Sequence, residues 1–423
     1  MLYYRLMKTK NETKHSIINI IIIALAWIVR LIYVFITTVG DRQHDLGYAT
    51  SLSDDIINPG HLGYVEYIAK FHHLPDFDPF SIFSYYHPPL HHIIASFFLN
   101  GAHAIGIEEP QVYEAIQVPT FIYSCLTILL CYAILRLLCN DERKIAIPLA
   151  LVSFHPGLIY MTGSINNDMI ALLMSFLCIY TTMLWILNDH KAKYLYLMAL
   201  SIGFGLIAKP NVGVLALPMG IVMLMYMIQR YKAGKLWDII KQYILFAIIS
   251  IPIGLSWTIR NAIRFGTKPG IPSPSPNQYI GDFSFLSNFG IPQKSSLPFP
   301  FYSENATFNN NAWSILFKTS LFAEIWPVDI KPVPLFLCQA VFVLSIILAL
   351  YCAVLCFIKA ARRVKAGEKE MGIFLGTGYA TTLITFVLFV LKYPFVCSCN
   401  FRYVPISLLY SAVALLPYKL NKD

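Results

Sequence analysis

Ten stretches of this chain are apolar for close to the length that crosses a bilayer, and nothing else in it constrains the fold as strongly. They fall near 16–39, 115–139, 144–162, 165–187, 193–208, 211–229, 238–260, 332–358, 371–391 and 401–418. A spanning helix needs about 20 mostly apolar residues, because a helix satisfies its own backbone polar groups where no water can. Of 423 residues, 57% are hydrophobic and 13% charged. Soluble domains run about half apolar and a quarter charged, so a water-soluble enzyme is excluded. Seven of the nine cysteines lie inside the apolar runs, where cysteine behaves as a small hydrophobe rather than as a disulfide partner.

An eleventh run, Leu90–Ile105, is shorter and carries His91, His92, Asn100 and His103. Charge decides whether it crosses. If it does not, the amino terminus and the turns at 140–144, 188–193, 230–241, 359–369 and 419–423 share one side, which with Arg136 holds 20 of the 32 basic residues. If it does, the later basic turns oppose the basic amino terminus. The positive-inside bias therefore predicts ten spans, both termini cytoplasmic, and an amphipathic interfacial helix over 90–105. The first run has no small-residue cleavage site after it and reads as an uncleaved anchor. The net charge of +9 reports the same bias rather than nucleic acid.

The expected organisation is a single transmembrane domain over 1–423, with two long extracytoplasmic loops at 40–114 and 264–331. Up to residue 92 the first loop carries seven acidic residues, among them Asp41, Asp45, Glu66 and Asp76, against Arg42 and Lys70. Eight of the eleven histidines lie between 44 and 103, His44, His61 and His87 included. The second loop is rich in proline and aromatics, with a short helix expected near 312–323.

Carboxylates at Asp41 and Asp45 directly follow the first span, where they can meet a lipid-borne headgroup and a water-borne acceptor. The turn Gly163-Ser164-Ile165-Asn166-Asn167-Asp168 puts a second acid at a helix start on the same side. Its plain explanation is the helix dipole; the alternative is convergence on the first loop. Lys209, Arg260 and Arg402 mark three outer helix ends, an arrangement suited to a membrane-bound phosphate, although snorkelling explains any one alone. His87 and His91 stand four apart, but no HExxH motif and no cysteine partner accompanies them. No metal site is assigned, and a divalent cation stays open as a cofactor.

In this order the segments "RQHD", "YHPPLHH", "SINNDMI", "GLIAKPNVGVLALP", "WTIRNAIRFGTKPG" and "NFRYVPISLL" resemble the GT-C class of integral-membrane glycosyltransferases. More narrowly, the pattern is similar to the branch of protein O-mannosyltransferases and bacterial lipid A aminoarabinose transferase. The resemblance implies an all-α GT-C-like fold and a polyprenyl-phosphate-sugar donor. It puts Asp45 at the position of the catalytic carboxylate and Lys209 at that of the carrier-phosphate cation. Many members have an acidic pair where this chain has His44-Asp45, with Asp41 four residues earlier, so the base is Asp45 or Asp41.

The expected activity is sugar transfer to a lipid, glycan or protein hydroxyl at the outer face. Asp45, Asp168 and Asp41 are the catalytic candidates, and Lys209, Arg260 and Arg402 the phosphate clamps. His44, His61, His87, Asn167, Glu324 and Tyr403 would position substrate. A bacterial plasma membrane is the default location. A flippase or transporter is the rival reading; such sites sit near the bilayer midplane with intramembrane charge or repeats, whereas here intramembrane acids are nearly absent and no repeat is visible. A polysaccharide polymerase or ligase shares the donor and stays open.

Overall fold

A computed structural model describes residues 10–42, 57–268, 285–290, 300–301, 311–324 and 331–417. The described residues form helices joined by short turns. In chain order these are α1 (Lys10–Ile36), α2 (Val39–Arg42), α3 (Gly60–Phe71), α4 (Leu90–Ala104), α5 (Gln117–Leu138), α6 (Glu142–Ser153), α7 (Pro156–Tyr160) and α8 (Asp168–Leu187). There follow α9 (Ala192–Ala208), α10 (Ala216–Lys232), α11 (Leu236–Phe265), α12 (Phe285–Phe289), α13 (Ala312–Phe322), α14 (Pro332–Lys365), α15 (Lys369–Lys392) and α16 (Ser407–Leu415).

Each of the ten apolar runs contains helix, but length and composition do not carry the count to ten. Among the described residues seven helices are long and apolar enough to span, and eight if α6 with its continuation through Gly163 is one span bent by 58°. Helix α9 has 17 residues and α16 has nine. The reasons are local. Pro156 opens α7 after a break at Phe154-His155, and Pro210 follows Lys209 at the end of α9, because proline cannot donate to the preceding turn. Helix α16 stops before Pro417, and the Lys359 ammonium donates to the Ala414 and Leu416 carbonyls at its end. Helix α4, with 15 residues, is likewise not among the span-length helices.

At the break between α6 and α7, Arg30 of α1 is buried. Its guanidinium donates to the Ser153 carbonyl and, over 2.8 Å, to Ser124 Oγ. A backbone carbonyl orphaned by the bend thus finds a donor inside the bundle, as it must where no water can replace one.

The first loop has cores of its own. Leu62, Val65 and Ala69 of α3 pack on Ala95, Leu99 and Ala102 of α4, with Val39, Val112 and Ile165 completing that layer. Tyr64, Tyr67 and Tyr85 pack beside Trp257 of α11 in a second cluster. This part of the loop is therefore fastened to the helix bundle at Ile165 and at Trp257.

Candidate active site

Asp168 begins α8, and its backbone N–H is capped by Asn166 Oδ1 at 3.0 Å. Its neighbour Asn167 donates from Nδ2 to the Ala208 carbonyl at 2.7 Å, which ties the start of α8 to the last turn of α9. Lys209 is the next residue along, so the same bond sets its side chain against Asp168. The ammonium and the Asp168 carboxylate form a buried ion pair. Arg402, from the turn Phe401–Tyr403, brings Nη1 to 4.0 Å from the other carboxylate oxygen. The Tyr403 ring lies 5.2 Å from Lys209 Nζ and 5.4 Å from Arg402 Cζ, within cation–π range.

His87 completes the cluster. Burial, and then the nearby Lys209 and Arg402 charges, hold its imidazole well below the ordinary value, so it is neutral at physiological pH. One carboxylate against two cations leaves the group with a single net positive charge. The site is thus a place for an anion, with a neutral imidazole able to donate or accept beside it.

A column of rings backs His87. His61 stacks on it at 5.0 Å and shares a 2.9 Å hydrogen bond with His92 through Nδ1 and Nε2 respectively. His92 stacks on Tyr64 at 4.2 Å. Beside it, His91 Nε2–H donates to the Ile165 carbonyl at 2.9 Å, joining α4 to the turn that carries Asp168. Burial holds His91 down at about 4 against an ordinary 6.5, and pushes His92 well below its ordinary value.

The sign for stability follows from that depression. Below pH 6.5 the unfolded chain binds protons that the folded chain refuses, so this contribution is whole above pH 6.5 and lost on acidification. At pH 5 His91 alone is expected to cost about 2 kcal/mol. Hydrogen exchange, corrected for its intrinsic pH dependence, should therefore speed up in α3 and α4 between pH 7.5 and 5 more than in α8. Equal protection at both pH values would show that these histidines take up protons without opening the loop.

Arg260 and Glu324, also expected at the site, bind other partners. Arg260 donates to the Pro75 carbonyl, donates to Asn261 Oδ1 at 2.7 Å and lies over the Trp257 ring at 4.9 Å. Trp257 Nε1 in turn donates to the Tyr86 carbonyl at 3.1 Å. Arg260 thus clasps the first loop beside His87 and makes no ion pair with Asp168. Glu324 accepts from Asn400 Nδ2 at 2.5 Å, and Asn400 also caps the turn that carries Arg402. Asp41 falls in α2, while His44 and Asp45 lie outside the described residues. Asn400, His91 and His92 were not among the expected site residues. The asparagine two residues before Arg402 was a legible capping signal.

Residues 87–257 match the family model described as dolichyl-phosphate-mannose-protein mannosyltransferase. This is less than half of the chain, and it includes His87, Asp168 and Lys209. No curated protein sequence matches significantly. Among solved structures, the apo oligosaccharyltransferase of Archaeoglobus fulgidus is similar over 94% of this chain and 50% of its own, with TM-score 0.52 and 13% identity. This chain therefore spans about half the length of that relative. ArnT from Cupriavidus metallidurans bound to undecaprenyl phosphate aligns over 94% of this chain and 76% of its own, with TM-score 0.40 and 13% identity.

Proposed function

We propose that this chain, which has the fold of the GT-C class of integral-membrane glycosyltransferases, moves a sugar from a polyprenyl-phosphate donor to an acceptor hydroxyl at the outer membrane face. The observation that carries the reading is the Asp168–Lys209–Arg402 cluster with neutral His87 at the ends of apolar helices. The family model over 87–257 supports glycosyl transfer as the reaction class and a lipid-phosphate sugar as its donor.

The chemistry makes few demands. Phosphate is a weakly basic leaving group, so no acid has to protonate it, unlike the alkoxide of a glycoside. One base takes the proton of the acceptor hydroxyl; its oxygen bonds to the anomeric carbon while the carbon–phosphate oxygen bond breaks. The electron pair stays on the phosphate, where Lys209 and Arg402 meet the growing charge. Asp45 is the proposed base, with Asp41 as the alternative. Asp168 holds Lys209 in place, His87 and Tyr403 shape the pocket, and Arg260 fixes the first loop over it. Displacement in one step inverts the sugar carbon.

The test is transfer by purified protein in detergent, supplied with polyprenyl-phosphate mannose and with isolated membranes as a source of acceptors. Labelled sugar should move to acceptor without a sealed compartment, and with inverted configuration. Donor that is carried across vesicle membranes but never consumed would replace this reading with transport.

A further inference from the structure

The segment between α3 and α4 carries a chain of aromatic rings that runs from the surface to the site. Phe83 is 51% exposed, and its ring lies 6.4 Å from that of Tyr86. Phe80, half-buried in the turn Pro79–Ser81, lies 6.0 Å from the same ring. Tyr86 in turn lies 4.5 Å from His87, the imidazole depressed by the Lys209 and Arg402 charges. Phosphate binding has no use for Phe80 or Phe83. An exposed phenyl ring beside a polar site keeps apolar surface in water that a partner would remove.

The chemistry around the rings selects that partner. Within 74–87 the only charged side chains are Asp76 and Asp78, both exposed. Asp78 holds the turn that carries Phe80, accepting the Phe80 N–H at 2.9 Å. Two carboxylates repel a phosphate or an acidic polymer and accept hydrogen bonds from hydroxyls. The backbone is already engaged. The carbonyls of Pro75, Asp78, Ile82, Phe83, Ser84 and Tyr86 all accept from other groups of the protein, so an extended peptide finds no run of main-chain partners here. What the surface offers is ring faces flanked by hydroxyl acceptors. A pyranose matches both: C–H groups on one face, drawn to the negative face of an aromatic ring, and hydroxyls at its rim.

We infer that Phe80, Phe83 and Tyr86 form an acceptor subsite for a neutral saccharide chain, which lies along the rings with its end at His87. This rests on the glycosyl-transfer reading and narrows the acceptor hydroxyl to one on a sugar. The oxygen of that hydroxyl bonds to the donor's anomeric carbon while the carbon–phosphate oxygen bond breaks. Its proton goes to the first-loop base, and the electron pair stays on the phosphate at Lys209 and Arg402. Arg260 and Trp257 hold Pro75 and Tyr86, and so fix both ends of the segment that bears the rings.

The experiment uses the full chain in detergent, with tritium-labelled polyprenyl-phosphate hexoses and pentoses as donors and isolated membranes as the acceptor source. The product is split by partial acid hydrolysis and, separately, by reductive alkaline β-elimination. Label should emerge from the first in a disaccharide. Label released by the second as a lone sugar alditol marks a Ser or Thr acceptor, and label left on a glycerol or acyl hydroxyl marks a lipid. Either would overturn the saccharide subsite and leave glycosyl transfer standing. No transfer from any donor would remove the glycosyl-transfer reading and the subsite with it.

Kinetics with the saccharide fraction of the same membranes then test the rings. Phe83→Leu keeps apolar bulk and loses the ring face. It should raise the acceptor's apparent KM about 3–10-fold and leave the donor KM unchanged, while Phe83→Trp stays near wild type. Phe83 is exposed, so the unfolding midpoint should not move in either variant. A wild-type acceptor KM in Phe83→Leu would make the ring an apolar anchor at the bilayer surface and overturn the subsite. An equal rise in the donor KM would mark general damage to the site and overturn it as well.

Discussion

Asp168→Asn is expected to damage folding and transfer together, whereas Asp168→Asn combined with Lys209→Met should restore folding and leave transfer lost. In the single variant Lys209 stays charged among buried neighbours with its main counter-ion gone. Removing one partner of a buried pair costs about 3–5 kcal/mol, while replacing both by uncharged groups of similar volume is often neutral. The side chains of the pair are 2% and 10% exposed, so little water is at hand to offset the loss. The unfolding midpoint in detergent reads the first effect and donor turnover the second. Recovery of transfer in the double variant would reduce the pair to a structural fastening and remove Lys209 from phosphate binding.

The second large effect belongs to the first loop. Asp45→Asn is expected to lower transfer by about 10²–10⁴-fold, the usual range for a general base, with the protein still inserted and folded. Asp41→Asn should have the smaller effect, since the resemblance of the first-loop segment puts Asp45 at the position of the base. The comparison of the two variants is made on turnover at saturating donor, so that a change in phosphate binding does not mimic loss of the base. Full activity in Asp45→Asn with loss in Asp41→Asn would exchange their roles; full activity in both would end the carboxylate mechanism.

Much of this was legible along the chain because membrane segments announce themselves locally. A helix in lipid needs a long apolar run, and that run is visible without knowing its neighbours. The same holds for Lys209-Pro210 and for Asp168 at the start of α8, where helix ends and charges coincide in sequence. Arg260 shows the limit. As an outer cation it reads like Lys209 and Arg402, yet its guanidinium is taken by the Pro75 carbonyl and the Trp257 face. Nothing near residue 260 reveals that residue 75 will arrive there, so its role as a clasp could not be distinguished from that of a phosphate ligand.

By itself the sequence determined that this chain is an all-helical membrane protein, that its acids and histidines gather in the first loop, and that its cations cap helix ends. These follow from composition and from periods shorter than one helix. Only the tertiary structure decided that the Asp168 carboxylate pairs with Lys209, and that burial near the Lys209 and Arg402 charges keeps His87 neutral. Each depends on which groups share a desolvated space, and burial sets the charge state and worth of a side chain far more than its neighbours in sequence do.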